Sequence, residues 1–519
     1  MQSTRVDSKD GPPLPKSDVR LAGLLATAIS VAALFVAAGL GWGVPFPPTS
    51  IAEAVLRAVP GGVATFFIEH LGHMARPSLA AGAVLATFFF GSELLALTSR
   101  RGAPRPWAAG GVLAVLAAAA IVLGPRDDLS VPAVVLALLA AAALYALVAG
   151  RFLIALAERG GPGHVDLARR RALRVGIGGA AGIAFGGFAL GWLARRLGGP
   201  DTNVVLVAPA DPALIPTRPS FPVVPGLSPE VTAAADHYVV DINLVQPSVE
   251  AQGWTLDVQG LVDKPLSFSF AELQKKFPIA EEYAVLTCIS NEIGGNLIGN
   301  SRWGGVRLKD VLTAAGVQGG AVDVVFYAAD HYSDSIPLEV AMDDSVLLAV
   351  SQNGAPLRQE HGFPCRVRVP QIYGMKNVKW LERIEVVNRD YQGYWMQRGW
   401  SDVATVRTES RIDVPTGRDA IPTGAKTWIA GVAWSGGRGI SKVEVSTDAG
   451  QSWQEAMLKE PISPYAWTLW AYEWTPAQPG RVTMACRATD GTGAVQTAAI
   501  APPHPSGATG YHVREVNVG

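Results

Sequence analysis

Two rhythms of apolar and polar positions divide the chain. Up to about residue 200, Ala, Leu, Val and Gly form long uncharged runs; from about residue 220, charged, aromatic and turn residues reach the density of a water-soluble protein. A helix that crosses a bilayer core needs roughly 18 to 25 apolar residues. Residues 21–44, 77–98, 107–124, 131–157 and 175–193 meet that length, with Glu93 and Arg151 as interruptions and a Gly-rich last run. This predicts an N-terminal all-α membrane domain of five transmembrane helices. Residues 51–68 contain Glu53, Arg57 and Pro60 and read as an interfacial or half-inserted helix.

Basic residues collect in alternate loops. Arg5, Lys9, Lys16 and Arg20, then Arg100, Arg101 and Arg105, then Arg159 and Arg169 to Arg174 fall on one side, while the other loops hold Arg57, Arg76 and Arg126. Basic loops stay cytoplasmic, so the chain reads as a multi-pass cell-membrane protein whose part beyond residue 200 is extracytoplasmic. The Arg169-Arg170-Arg171-Ala-Leu-Arg174 run, before a weakly hydrophobic span, reads equally as an internal twin-arginine export signal. No span carries a His pair spaced for a haem; His70 and His73 read as solvated interfacial residues.

Residues 201–230 are rich in proline and read as a linker. In residues 231–400, short strands mix with short helices. Residues 254–260 and 362–370 alternate as strands, and 269–276 and 308–315 read as helices, an α+β pattern without regular βαβ repetition. In 362–370, Cys365, Val367 and Val369 share one face and Arg366 and Arg368 the other. Residues 401–519 turn all-β, with alternating runs at 427–433, 442–446, 454–458 and 481–488. About 100 residues of that pattern suggest an immunoglobulin-like β-sandwich.

Charge and cysteine content narrow the chemistry. The net charge is −1 and basic runs are confined to the membrane-flanking loops, so no nucleic-acid partner is indicated. Cys288, Cys365 and Cys486 cannot make a disulfide framework, and Cys486, mid-strand, reads as a buried structural thiol. Leu286-Thr-Cys288-Ile-Ser-Asn291 instead ends an apolar strand on a cysteine before a loop with Gly294, Gly295 and Gly299. A thiolate there is a nucleophile or a soft-metal ligand.

The surroundings weight that choice. Residues 360–370 and 373–386, with the blocks at 301–312, 336–343 and 353–357, resemble the pterin-binding core of the sulfite oxidase family. The resemblance begins near residue 235 and takes in the sandwich, which looks like the family's molybdenum-cofactor oxidoreductase dimerisation domain and implies a homodimer through the C-terminal domain. It implies Mo-molybdopterin, with the metal held by two dithiolene sulfurs and one protein thiolate, matched by Cys288. His361, Arg366 and the Asn377-Val378-Lys379 turn match positions that grip the pterin and its phosphate, work suited to their charge. Asp330 matches a carboxylate that accepts pterin N–H groups. Asp241 and Asn243, after His237-Tyr238, fall in the first cofactor-contacting segment.

The departures bear on substrate. The resemblance implies arginines that hold a dianion, yet their positions carry Asp241, Ile293 and the arginine-free Pro503–Ser506 stretch. The expected active-site tyrosine aligns with Trp400. The reading is therefore two-electron oxygen-atom transfer on a small molecule other than sulfite, with an external electron acceptor or donor unnamed. Trp400, Trp303 and Arg398 shape the pocket. The alternatives are a sulfoxide or N-oxide reductase with the same cofactor, or a non-catalytic membrane receptor with a degenerate core.

Overall fold

The computed structural model describes residues 15–40, 43–59, 63, 67, 75–98, 104–123, 129–157, 178–179, 181–193, 204–243, 246–417 and 420–519. It divides into two compact units, Met1–Gly199 with Asn243–Val245, and Pro200–Ile242 with Gln246–Gly519.

In the first unit, Lys16–Gly39, Ser78–Leu97, Pro106–Leu123 and Val131–Ile154 are long and apolar enough to cross a membrane. The first helix stops at Gly39 rather than at 44, because Gly43 takes a φ of 66° and Pro45 follows. Small residues let the helices approach: a Cβ on Gly23 would lie 2.9 Å from the Gly91 carbonyl, and Tyr145 Oη donates to that same oxygen at 2.7 Å. Glu93 is met by Arg20 at 2.8 Å. Of the expected fifth span, a shorter apolar helix, Ala181–Leu193, is described. Of the 51–68 stretch, the helix Pro47–Ala58 with its cap Val59, and Val63 and Phe67, are described, and Glu53 is buried. His70, His73, Arg159 and residues 169–174 lie outside the described residues.

The second unit begins with two sheets. β1 (Thr255–Gly260), β2 (Leu266–Ser269), β5 (Asp323–Ala328), β6 (Ser333–Pro337) and β10 (Leu381–Val387) assemble in the order β2-β1-β10-β5-β6. β3 (Ile279–Thr287), β4 (Ile298–Arg307), β7 (Leu347–Gln352) and β8 (Ala355–Pro356) follow one another, and β9 (Arg366–Arg368) also pairs with β7. One apolar core, including Leu256, Val306, Leu312, Phe326, Val367 and Ile384, lies among these elements. The two predicted helices are present. Phe270–Lys276 starts at a Ser269–Glu272 capping box, and Leu308–Ala315 stops at Gly316, whose φ is 72°.

One expectation is corrected here. The strand at 362–370 shrinks to β9, because a 3-10 turn and Gly362, at φ 104°, precede it. Part of the proline-rich stretch read as a linker packs on this core. Ala210 N–H donates to Ile279 O at 2.8 Å, Val207 N–H donates to Gln274, and Phe221 and Leu227 pack on the core. Proline fixes an extended backbone and gives up an N–H, so such a segment can lie on a surface without a ladder of its own.

The C-terminal region is a pair of sheets. β11 (Glu409–Val414), β13 (Thr427–Trp434), β17 (Thr468–Trp474) and β16 (Met457–Leu458) form one in that order. The other runs β12 (Ala420–Ile421), β19 (His512–Val518), β18 (Gly480–Asp490), β14 (Ile440–Ser446), β15 (Gln454–Glu455). The strand expected at 454–458 is broken at buried Ala456, where the chain passes from one sheet to the other. Ile412, Trp470, Met484 and Cys486 are fully buried in one cluster, and burial pushes the Cys486 thiol up to about 12.

Candidate molybdopterin site

Cys288 follows the last residue of β3, where the strand turns into a closed loop. Its N–H donates to Leu297 O at 2.9 Å, and Asn291 Oδ1 accepts the Leu297 N–H at 2.9 Å. The thiol is 7% exposed and lies 3.0 Å from Ser290 Oγ. Strands of the C-terminal sheets hold this loop. Arg411 of β11 donates to Gly295 O at 2.8 Å, and the His512 ring of β19 fills the space a Cβ on Gly294 would need. Tyr238, Tyr332 and Tyr373 are close enough to Cys288 to feel its charge; burial first, and that sulfur among the other causes, push all three phenols upward.

Beside it lies a buried cationic cradle. Arg366 is 4% exposed, donating to His361 O at 2.9 Å and Asn377 O at 3.0 Å. Arg368, on the same short strand, donates to Asn377 Oδ1 at 3.3 Å and to Val285 O. His361 Nε2 is 2.7 Å from Ala234 O, and the His237 ring packs edge-on to it at 5.5 Å. Gly299 makes room for His237, since a Cβ there would sit 2.7 Å from the ring. Lys379 bonds to Asp241 Oδ2 at 3.1 Å and to Glu360 O at 3.0 Å, and feels Asp330. Burial pulls His361 down to about 4, His237 to about 3, Arg366 to about 10 and Lys379 to about 8, with neighbouring cations adding to each except Arg366. Arg366 Nε, Arg368 Nε and His237 Nε2 are buried without a hydrogen-bond partner. The buried charges of Arg366, Arg368 and Lys379, with Arg366 Nε and Arg368 Nε unpartnered, suit an anion, which a pterin phosphate would supply, while His237 and His361 are neutral hydrogen-bonding groups beside them.

A third group is aromatic. Trp400 is 7% exposed, stands edge-on to His504 at 5.0 Å and to Trp395 at 6.1 Å, and Trp395 meets Tyr394 at 5.1 Å. Tyr394 in turn packs on Tyr332 at 5.9 Å and carries the Arg398 guanidinium over its face at 3.6 Å. Trp400 Nε1, His504 Nε2 and Arg398 Nε are buried without a partner.

These contacts sort the sequence-predicted residues. Cys288, Asp241, Asp330, His361, Arg366, Asn377, Val378 and Lys379 all belong to this unit, with Val378 fully buried behind β9. The Asn377 side chain is used internally, accepting from Val369 N–H at 2.7 Å and donating to Tyr373 O at 3.1 Å, so it shapes the turn. Asn243 is half-buried and belongs to the first unit. Two placements differ from expectation. Asp241 is an ion-pair partner of Lys379 rather than a carboxylate facing substrate, and Trp303 lies with His237 and Arg366, not with Trp400 and Arg398. Sequence reasoning missed Arg368, whose alternation with Val367 mimics a half-exposed strand, and His237 and His504, isolated histidines without a spacing signal.

A buried cationic cradle, a buried thiol at a strand end and a two-sheet C-terminal region fit a molybdopterin-dependent oxidoreductase, and comparison with known proteins identifies one. Residues 243–395 match the oxidoreductase molybdopterin binding domain and residues 402–502 the Mo-co oxidoreductase dimerisation domain. Sulfite oxidase of Gallus gallus is 34% identical over 311 residues, 50% of this chain and 67% of that one. Nitrate reductase [NAD(P)H] of Hordeum vulgare is 31% identical over 303 residues, 47% of this chain and 34% of its own length. The sulfane dehydrogenase SoxCD of Paracoccus pantotrophus superposes with a TM-score of 0.50 at 27% identity, covering 56% of this chain and 84% of that chain. The chain belongs to the sulfite oxidase family. It is an enzyme that uses Mo-molybdopterin, not a cofactor-free receptor.

Proposed function

We propose that this enzyme acts outside the cytoplasmic membrane on a small neutral or cationic molecule rather than on sulfite. Cys288 would be the protein thiolate on molybdenum; His361, Arg366 and Lys379, with Asp330 and Asp241, would hold the pterin and its phosphate, aided by the turn at Asn377 and Val378. The bound group supplies two-electron oxygen-atom transfer. The protein's part is to orient it, keep water out with the tyrosines around Cys288, and select the substrate. Residues 231–400 form the cofactor domain. Residues 401–519 form an immunoglobulin-like sandwich through which two copies pair. Trp400 and Arg398 line the substrate side, while Trp303 backs the cradle.

The observation that carries the substrate reading is the wall near the Cys288 loop. Where the resemblance calls for arginines it has Ile293, 3.9 Å from the Cβ position of Gly510, and the Pro503–Ser506 segment against Trp400. Asp241 adds no net charge to this wall, since Lys379 pairs with it at 3.1 Å. A close pair of unit charges is worth about 4 kcal/mol at an effective dielectric near 20, so each missing arginine weakens dianion binding strongly. Steady-state turnover of sulfite against a neutral sulfoxide–thioether pair, with artificial electron carriers, tests this. The neutral pair should turn over far better; a kcat/KM for sulfite in the range of about 10⁴–10⁸ M⁻¹s⁻¹ would contradict it.

A further inference from the structure

We propose that residues 204–230 present the face on which the catalytic unit rests against a bilayer surface. The proposal goes beyond the substrate reading and does not depend on it. At its start the stretch packs by alternate residues: Val204 and Leu206 lie against the core, while Val205 and Val207 are exposed. On a water-facing surface the outward positions of such an alternation are polar. Here they are apolar. Val205 is 88% exposed, Leu214 77% and Val223 93%, and Ile215 beside Leu214 is exposed as well. The backbone that carries them is pinned, so they cannot turn inward together. Val207 N–H donates to Gln274 Oε1 at 3.1 Å, Ala210 N–H to Ile279 O at 2.8 Å and Ala213 N–H to Glu281 Oε2 at 3.3 Å. Further on, Arg218 Nη1 donates to Glu460 O at 2.8 Å and Ser228 N–H to Asp413 Oδ2 at 3.2 Å.

Charge and composition narrow the partner. The charged residues of the stretch are Asp211, Arg218 and Glu230, and each is paired: Asp211 with Arg307, and Glu230 with Arg218 Nη2 and Lys459 Nζ, both at 2.9 Å. Exposed apolar side chains gathered on such a stretch mark an interaction surface. Protein partners are anchored mainly by Trp, Tyr and Arg, with Leu and Val under-represented. This stretch has no Trp or Tyr, and its arginine is engaged. Its exposed aliphatic side chains suit the acyl boundary of a membrane instead. Its prolines, from Pro209 to Pro229, bring no N–H group, which lowers the cost of laying backbone against an apolar phase. The covalent path agrees. The apolar helix Ala181–Leu193 precedes the stretch, and residues 194–203 between them span at most about 40 Å when fully extended.

The test uses the full chain, loaded with molybdenum, in vesicles of phosphatidylcholine and phosphatidylglycerol, with and without lipid brominated in the upper acyl chain. Cys288, Cys365 and Cys486 are buried, so a fluorophore can be placed at Thr217→Cys, exposed within the stretch, or at Gln451→Cys, in the exposed turn between β14 and β15. Brominated lipid should quench the label at position 217 at least about twofold more than the label at 451. Replacing the apolar face (Val205→Ser, Leu214→Ser, Ile215→Ser and Val223→Ser together) should bring quenching at 217 down to that at 451, with molybdenum content unchanged. Equal quenching at the two positions, or quenching at 217 that survives the four serines, overturns the proposal. So does energy transfer between position-217 labels on two copies that is as strong in detergent as in vesicles, because the face would then be a protein interface. If the four-serine variant loses its metal, the contrast between 217 and 451 in the otherwise unchanged chain decides.

Discussion

Lys379 shows how the cradle balances charge one residue at a time. Burial pulls its ammonium down to about 8, Asp241 pushes it back up, and Arg366 opposes that. Both members of the pair are nearly enclosed, with side chains 10% and 8% exposed. Breaking such a pair by removing one partner costs about 3–5 kcal/mol. Asp241→Asn should therefore lower the melting temperature of cofactor-free protein markedly and that of loaded protein much less, because a bound phosphate would take over the lost carboxylate's role. Thermal melts of the two forms check this, and equal losses would remove the phosphate from the neighbourhood of Lys379. The other half of the cradle needed structure to be seen. Arg366 and Arg368 alternate with apolar residues as on a half-solvated strand, but β9 is buried on both faces. Only the resemblance singled out Arg366, and nothing singled out Arg368.

At the scale of elements, the C-terminal sheets hold the loop that carries Cys288. β11 sends Arg411 across to Gly295 in the Cys288 loop, and Arg411 is braced by Asp413 at 2.7 Å and by Ser228 of the proline-rich strap at 3.0 Å. Arg411→Ala removes all three bonds and should lower kcat by about 10- to 100-fold through a misplaced loop, with metal content retained; activity assays beside metal analysis decide it. An unchanged kcat would mean the loop holds its own shape. Elements with a local cause were legible in the sequence: Leu308–Ala315 has a helical apolar stripe and a terminal glycine. Elements set by distant partners were not. Nothing local tells Ala210 and Asp211 to pair with β3, or the chain at Ala456 to change sheets.

For the whole molecule, the sequence read the two-part plan well because bilayer and water impose different compositions. Four helices long and apolar enough to cross a membrane were legible to within a few residues, apart from the early stop of the first at Gly39. The side of the membrane is carried by loop charge alone, so it is tested by reporter fusions: one at the C-terminus should report an external location, and one between Arg159 and Arg174 an internal one. The reverse pattern would place the catalytic unit in the cytoplasm. Cys288, proposed as the protein ligand of the molybdopterin, is the residue on which the chemistry turns. X-ray absorption at the molybdenum edge, on the full chain and on Cys288→Ser, tests that most directly. Sulfur neighbours from the dithiolene plus one thiolate are expected, with loss of only the thiolate sulfur, together with turnover, in a variant that keeps its fold and most of its pterin. An unchanged sulfur shell with full activity in Cys288→Ser would contradict it.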